Sequence, residues 1–108
     1  MITIEETIKP LMSYLFEDKP LEQDVIEALI DNAADCFDEL SDLPDDAVEV
    51  ELPDTNVGRI FIQKEFAPVA SKIDALCDKL YELDDNCAGW EYFSTICALI
   101  DCAFEPAE

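Results

Sequence analysis

Six carboxylates recur at helical steps in the first half of the chain: Asp24, Glu27, Asp31, Asp35, Asp38 and Asp42. They are separated by three, four, four, three and four residues, which sets all six side chains on one face of a helix. Carboxylates can exchange protons, ligate cations or hold fixed negative charge, and the rest of the chain selects among these. There is no His to serve as the usual general base, and with only Gly58 and Gly89 there is no glycine-rich phosphate loop. Among 27 Asp and Glu residues no pair stands out for acid–base work, so no catalytic residue is assigned and the chain is not expected to be an enzyme. Asp42, Asp45 and Asp46 lie close together, but the EF-hand pattern with its central Gly and final Glu is missing. The five cysteines, Cys36, Cys77, Cys87, Cys97 and Cys102, are odd in number and contain no CxxC pair. They indicate neither a disulfide framework nor a zinc site, and most fall among apolar neighbours as small buried hydrophobes would. No metal or other cofactor is expected. What remains is fixed charge.

That charge is not relieved locally. Like charges three or four residues apart on a helix cost about 0.2–0.5 kcal/mol per pair, and a merely solvated face commonly carries Lys or Arg four residues on. Between Lys19 and Arg59 there is no basic residue, while thirteen acids occupy the same stretch. A shorter line follows at Asp74, Asp78, Glu82 and Asp85, with Lys72 and Lys79 nearby, and Glu49 and Glu51 add two more carboxylates. These twelve residues are the candidate partner-binding set. Eighteen helical residues span about 27 Å, so the first stripe carries one negative charge per ~5 Å. Each strand of duplex DNA carries one per ~3.4 Å. One stripe is a sparse phosphate strand; two stripes and the paired glutamates approach the density that a nucleic-acid-binding cleft accepts.

The elements that must hold these acids follow from periodicity. Thr3 to Phe16 has apolar residues at Ile4, Ile8, Leu11, Met12 and Leu15, with Thr3 and Glu6 in capping-box spacing. Pro10 predicts a kink or two short pieces there. A second helix opens at Pro20 and runs to about Leu40 or Leu43, with Val25 or Ile26, Leu29, Ile30, Ala33, Phe37 and Leu40 inward. The period then changes to two. Val48, Val50 and Leu52 alternate with Glu49 and Glu51, residues 53–58 are turn-forming, and residues 59–63 return as a second strand. Arg59 falls opposite Glu51 or Glu49. Helical spacing resumes from Phe66 to Leu83, and a last helix from Gly89 to about Phe104 is apolar on nearly every side, which marks the centre of the core. Trp90, Tyr92 and Phe93 are expected in that core rather than at an interface, and the residues after Phe104 read as a short acidic end. The order helix, helix, strand, strand, helix, helix predicts a mostly helical α+β fold in one domain over residues 1–108.

The overall balance bears on partners. Against the 27 acids stand six Lys and Arg, a formal net charge of −21 in 108 residues. A magnitude of about 2–8 already keeps a small domain soluble, so most of this charge goes beyond solubility and brings self-repulsion. Adaptation to high salt would also enrich acids, but it goes with fewer large apolar residues than the 50% hydrophobic content found here. Direct binding to nucleic acid or to anionic membrane is disfavoured by repulsion, and no apolar run approaches a membrane span. The N-terminus lacks a basic region before an apolar run, so a cytoplasmic location is expected.

Small size, extreme acidity and the stripe from Asp24 to Asp42 make the chain resemble, at the level of class, the DNA-mimic inhibitors that phages and mobile elements direct at host defence. Anti-restriction and anti-CRISPR proteins are among them. They share no fold or motif, so the resemblance covers no alignable segment. It implies an inhibitor acting in the host cytoplasm on the basic nucleic-acid-binding surface of a host protein. The alternative is an immunity protein, antitoxin or secretion chaperone that neutralises one basic partner, with exposed apolar residues such as Tyr81 or Phe61 as anchors. A homodimer is compatible with either reading.

Overall fold

The computed structural model describes residues 3–31, 43–52, 58–85 and 89–107. Among these residues, four helices and a three-stranded antiparallel sheet make a mostly helical α+β fold. Helix α1 spans Ile4–Glu17, and α2 spans Gln23–Asp31. Strands β1 (Val48–Leu52) and β2 (Gly58–Ile62) form the hairpin. A 3-10 turn at Ala67–Val69 leads into α3 (Ala70–Leu83), followed by α4 (Gly89–Leu99) and β3 (Phe104–Pro106).

The capping box at Thr3 is formed in both directions: the Glu6 N–H donates to the Thr3 hydroxyl at 3.1 Å, and the Thr3 N–H donates to the Glu6 carboxylate at 3.2 Å. Helix α1 continues through Pro10 as one element instead of dividing there. Its cap and the full burial of Leu11 and Leu15 outweigh the roughly 3 kcal/mol that an interior proline costs. The helix stops where Asp18 turns left-handed (φ 61°), a conformation that Asp tolerates better than most residues. Asp18 then accepts a hydrogen bond from Lys72 of α3, whose ammonium also lies 4.9 Å from the centre of the Tyr14 ring.

That contact gives a pH prediction. The hydrogen bond from Lys72, then its positive charge, hold the Asp18 carboxyl below its ordinary value of 3.8. A carboxyl depressed in the folded state stabilises the fold above its unfolded pKa and loses that contribution as pH falls through the folded one. In Lys72→Met the Asp18 titration, followed by side-chain carbonyl NMR, should move up toward the ordinary value. The part of the parent's stability advantage that comes from the Asp18–Lys72 pair should be lost as pH falls through the parent's Asp18 pKa. An Asp18 titration that ignores the substitution would show that the pair does not persist in solution.

The core is continuous across the elements. Leu11, Leu15, Val25, Leu29, Ile60, Ile62, Ile73, Leu80, Phe93 and Ile96 are among its members. In α4, six consecutive residues from Tyr92 to Cys97 are buried, as expected of a central helix. The Tyr92 hydroxyl donates to the Asp84 carbonyl at 2.6 Å, and the Thr95 hydroxyl donates to the Glu91 carbonyl at 2.8 Å. Trp90 departs from the expectation, being 48% exposed. A first-turn side chain leans toward the helix N-terminus, away from the buried middle of α4.

The last helix is also shorter than its apolar spacing implies. Asp101 adopts a left-handed conformation (φ 57°), and the Cys102 N–H closes back on the Cys97 carbonyl at 2.7 Å. The chain reverses, and residues 104–106 add a third strand beside β2 where the sequence reads as the end of the last helix and a short acidic end. Gln63 secures this return. Its N–H donates to the Ala103 carbonyl at 3.2 Å, and its side-chain oxygen accepts the Ala103 N–H at 2.6 Å. Cys77, Cys97 and Cys102 are free and buried. Burial, and secondarily the Asp74 carboxylate, push the Cys77 thiol up; burial, then the hydrogen bond with Cys102, do the same for Cys97.

Candidate acidic interaction surface

Helix α2 separates its two kinds of residue cleanly. Val25, Ile26, Ala28 and Leu29 are buried against the core, and Asp24, Glu27 and Asp31 are exposed on the other side. Burial of the apolar face fixes the rotation of the helix, and that rotation aims the three carboxylates at solvent. Over seven residues they cover about 10 Å of surface. Asp35, Asp38 and Asp42 lie outside the described residues, as does the expected continuation of the second helix.

The line on α3 is not a surface stripe along its whole length. Asp74 is buried, with 1% of its surface exposed, whereas Asp78 is half-buried and Glu82 and Asp85 are exposed. The reason is geometric. A step of four residues advances about 400°, so a line drawn every four residues drifts about 40° around the helix at each step. The line starts in the core, level with Ala70, Ile73 and Cys77, and emerges into solvent by Glu82. Asp74 therefore belongs to the interior polar groups and is withdrawn from the partner-binding set. No buried side-chain oxygen or nitrogen among the described residues lacks a hydrogen-bond partner.

Folding brings two carboxylates of the α2 line beside the C-terminal end of α3. Glu27 and Asp31 of α2 share an open groove of about 400 Å³ with Asp84 at the end of α3. Gln23, Ile30 and Leu83 complete its walls. Asp84 was not among the expected site residues; its signal in the sequence is the Asp84–Asp85 pair at the helix end, which reads first as a helix terminator. Tyr81 and Leu83 are exposed in the last turn of α3, at 46% and 57%, so large apolar side chains border the acidic ones.

On the sheet, β1 presents Glu49 and Glu51 outward and turns Leu52 into the core. Arg59 registers opposite Glu51, and its guanidinium reaches Glu49 at 3.4 Å. Both glutamates named from the sequence thus face Arg59, one through register and one through contact. The remaining ion pairs among the described residues join Lys19 to Glu17 at 3.5 Å and Lys72 to Asp18. None involves Asp24, Glu27, Asp31, Glu82 or Asp85. Three of the six cations, Lys19, Arg59 and Lys72, are taken by these pairs, and among the described residues the five carboxylates have no ion-pair partner.

Among the described residues no group of three or more His, Cys, Asp or Glu side chains is placed to hold a metal ion. No helix among them is long and apolar enough to cross a membrane. Comparison with protein-family models, with curated proteins and with solved structures gives no match.

Proposed function

We propose that this chain is an acidic inhibitor that occupies the positively charged nucleic-acid-binding surface of a host protein, such as a CRISPR effector or a restriction enzyme, in place of a phosphate backbone. The observation that carries this reading is the set of exposed carboxylates Asp24, Glu27, Asp31, Glu82 and Asp85, which join none of the ion pairs among the described residues. Held on rigid helices, they release counterions from a basic cleft as phosphates do, and they act without a chemical step. The groove joining Glu27, Asp31 and Asp84 places carboxylates of two elements on one surface, as a continuous charge track requires.

A second reading draws support from Phe61, Tyr81 and Leu83, which are exposed beside acids. Apolar anchors within a charged rim suit a dedicated protein partner of the immunity, antitoxin or chaperone kind.

One experiment separates the two. The immobilised chain is exposed to host lysate, and the captured protein is challenged with duplex DNA and with increasing salt. Mimicry predicts release by DNA and a loss of about a thousandfold in affinity between about 50 and 200 mM salt, as for six or more phosphate contacts. A captured basic protein that DNA fails to displace would overturn mimicry in favour of the dedicated partner. Capture indifferent to salt would overturn both.

A further inference from the structure

The sheet has one covered face and one open face. Val48, Val50 and Leu52 on β1, Ile60 and Ile62 on β2 and Phe104 on β3 turn inward onto the core. Glu49, Glu51, Arg59, Phe61 and Glu105 alternate with them and are exposed. The register sets Glu49 opposite Phe61 on one side and Glu105 opposite Phe61 on the other. A single row across the three strands therefore reads carboxylate, aromatic ring, carboxylate. Directly opposed side chains in an antiparallel pair lie about 4.5–5.5 Å apart at Cβ, so the Cβ atoms of the two glutamates flank that of Phe61 at about 10 Å from each other.

A lone exposed aromatic is ordinary on protein surfaces. Phe61 differs in lying on the middle strand, with both cross-strand neighbours negatively charged. We infer that this open face seats an arginine side chain of the basic partner, its guanidinium stacked on Phe61 between Glu49 and Glu105. The inference rests on the acidic-surface reading above and adds a chemical preference to it. Charge complementarity supplies the attraction: three carboxylates against the one guanidinium of Arg59 leave this face at a formal −2 (1 − 3). The Arg59–Glu49 pair places a guanidinium on this face already, so the surface accommodates that group. Arginine fits better than lysine because its planar, weakly hydrated cation stacks on a ring while donating two parallel hydrogen bonds to a carboxylate. The stripe on α2 has no aromatic among its exposed residues and makes no such distinction.

The test titrates an all-arginine peptide and an all-lysine peptide of equal length into the isotope-labelled full chain at low salt, with NMR detection. The Phe61 ring and the amides of residues 49, 61 and 105 should respond to the arginine peptide, which should bind about three- to fivefold more tightly than the lysine peptide. Phe61→Ala, at an exposed position outside the buried core, should remove the preference, and Phe61→Tyr should retain it. Equal affinity of the two peptides, a preference that survives Phe61→Ala, or shifts confined to α2 would each overturn the arginine seat. Shifts on α2 alone would leave the acidic-surface reading standing. An arginine preference centred on Phe61 together with a captured partner that DNA cannot displace would support the seat and reject mimicry.

Discussion

Replacing Asp24, Glu27 and Asp31 together by Lys is expected to weaken binding of the captured partner by about a hundredfold or more, without lowering the urea midpoint. The three side chains are exposed, none joins an ion pair, and the apolar face of α2 that fixes the helix is left untouched. Loss of three charge-assisted contacts at about 1 kcal/mol each amounts to roughly 3 kcal/mol, which corresponds to about a hundredfold. Reversal adds repulsion to the loss. The slope of log affinity against log salt should fall by about three at the same time. Stability should hold or rise, because the substitution relieves like-charge neighbours at three- and four-residue spacing in a chain of formal charge −21. Isothermal titration at several salt concentrations, paired with urea unfolding followed by circular dichroism, reads both halves. Unchanged affinity in a folded variant would show that α2 is not the contact, and a fall in the urea midpoint would show that these carboxylates support the fold.

Much of the architecture was legible because two periods dominate the chain. The helical spacing of Leu11 with Leu15 and of Ile73 with Leu80, and the alternation from Val48 to Leu52, are each enforced by burial on one side. A one-residue slip would invert such a pattern, so it survives into the structure. The opposition of Arg59 and Glu51 follows directly from that alternation. What sequence spacing missed has local causes. Ile100 and Phe104 continue the helical pattern of α4, yet Asp101 breaks the helix through its own backbone conformation, and no periodicity reports that. β3 is three residues long, below the length at which alternation can be recognised, and its pairing partner lies more than forty residues earlier. Glu105 therefore went unassigned although it lies beside the most exposed ring of the sheet. Asp74 shows the opposite error. Its spacing to Asp78 looked like a stripe, but Ala70, Ile73 and Cys77 draw that side of α3 into the core. Asp35, Asp38 and Asp42 lie outside the described residues, so half of the first stripe stands on its sequence alone.

Phe93→Ala is expected to cost about 3–5 kcal/mol, a large part of the roughly 5–15 kcal/mol that holds a domain of this size together. Phe93 is fully buried at the centre of α4, and its ring meets Phe104 edge to face, with centroids 5.0 Å apart at 82°. Removing it leaves a cavity that the surrounding aliphatic side chains fill incompletely and deprives β3 of its main inward contact. The damage should spread unevenly. The Gln63 N–H, held by the Ala103 carbonyl, and the Ala107 N–H, held by the Arg59 carbonyl at 2.9 Å, should lose hydrogen-exchange protection before the amides shared by β1 and β2. Added salt should restore part of the lost stability by screening the net charge, which opposes the compact state more in a weakened core than in an intact one. The same salt weakens capture of a basic partner, so stability and binding respond to it with opposite signs. A loss below about 1 kcal/mol would mean that the ring is not packed as described. If β3 is released, Glu105 leaves its place beside Phe61, and the open face of the sheet loses one of the two carboxylates that frame the ring. Arginine preference should therefore fall in Phe93→Ala even under conditions where the helices remain folded.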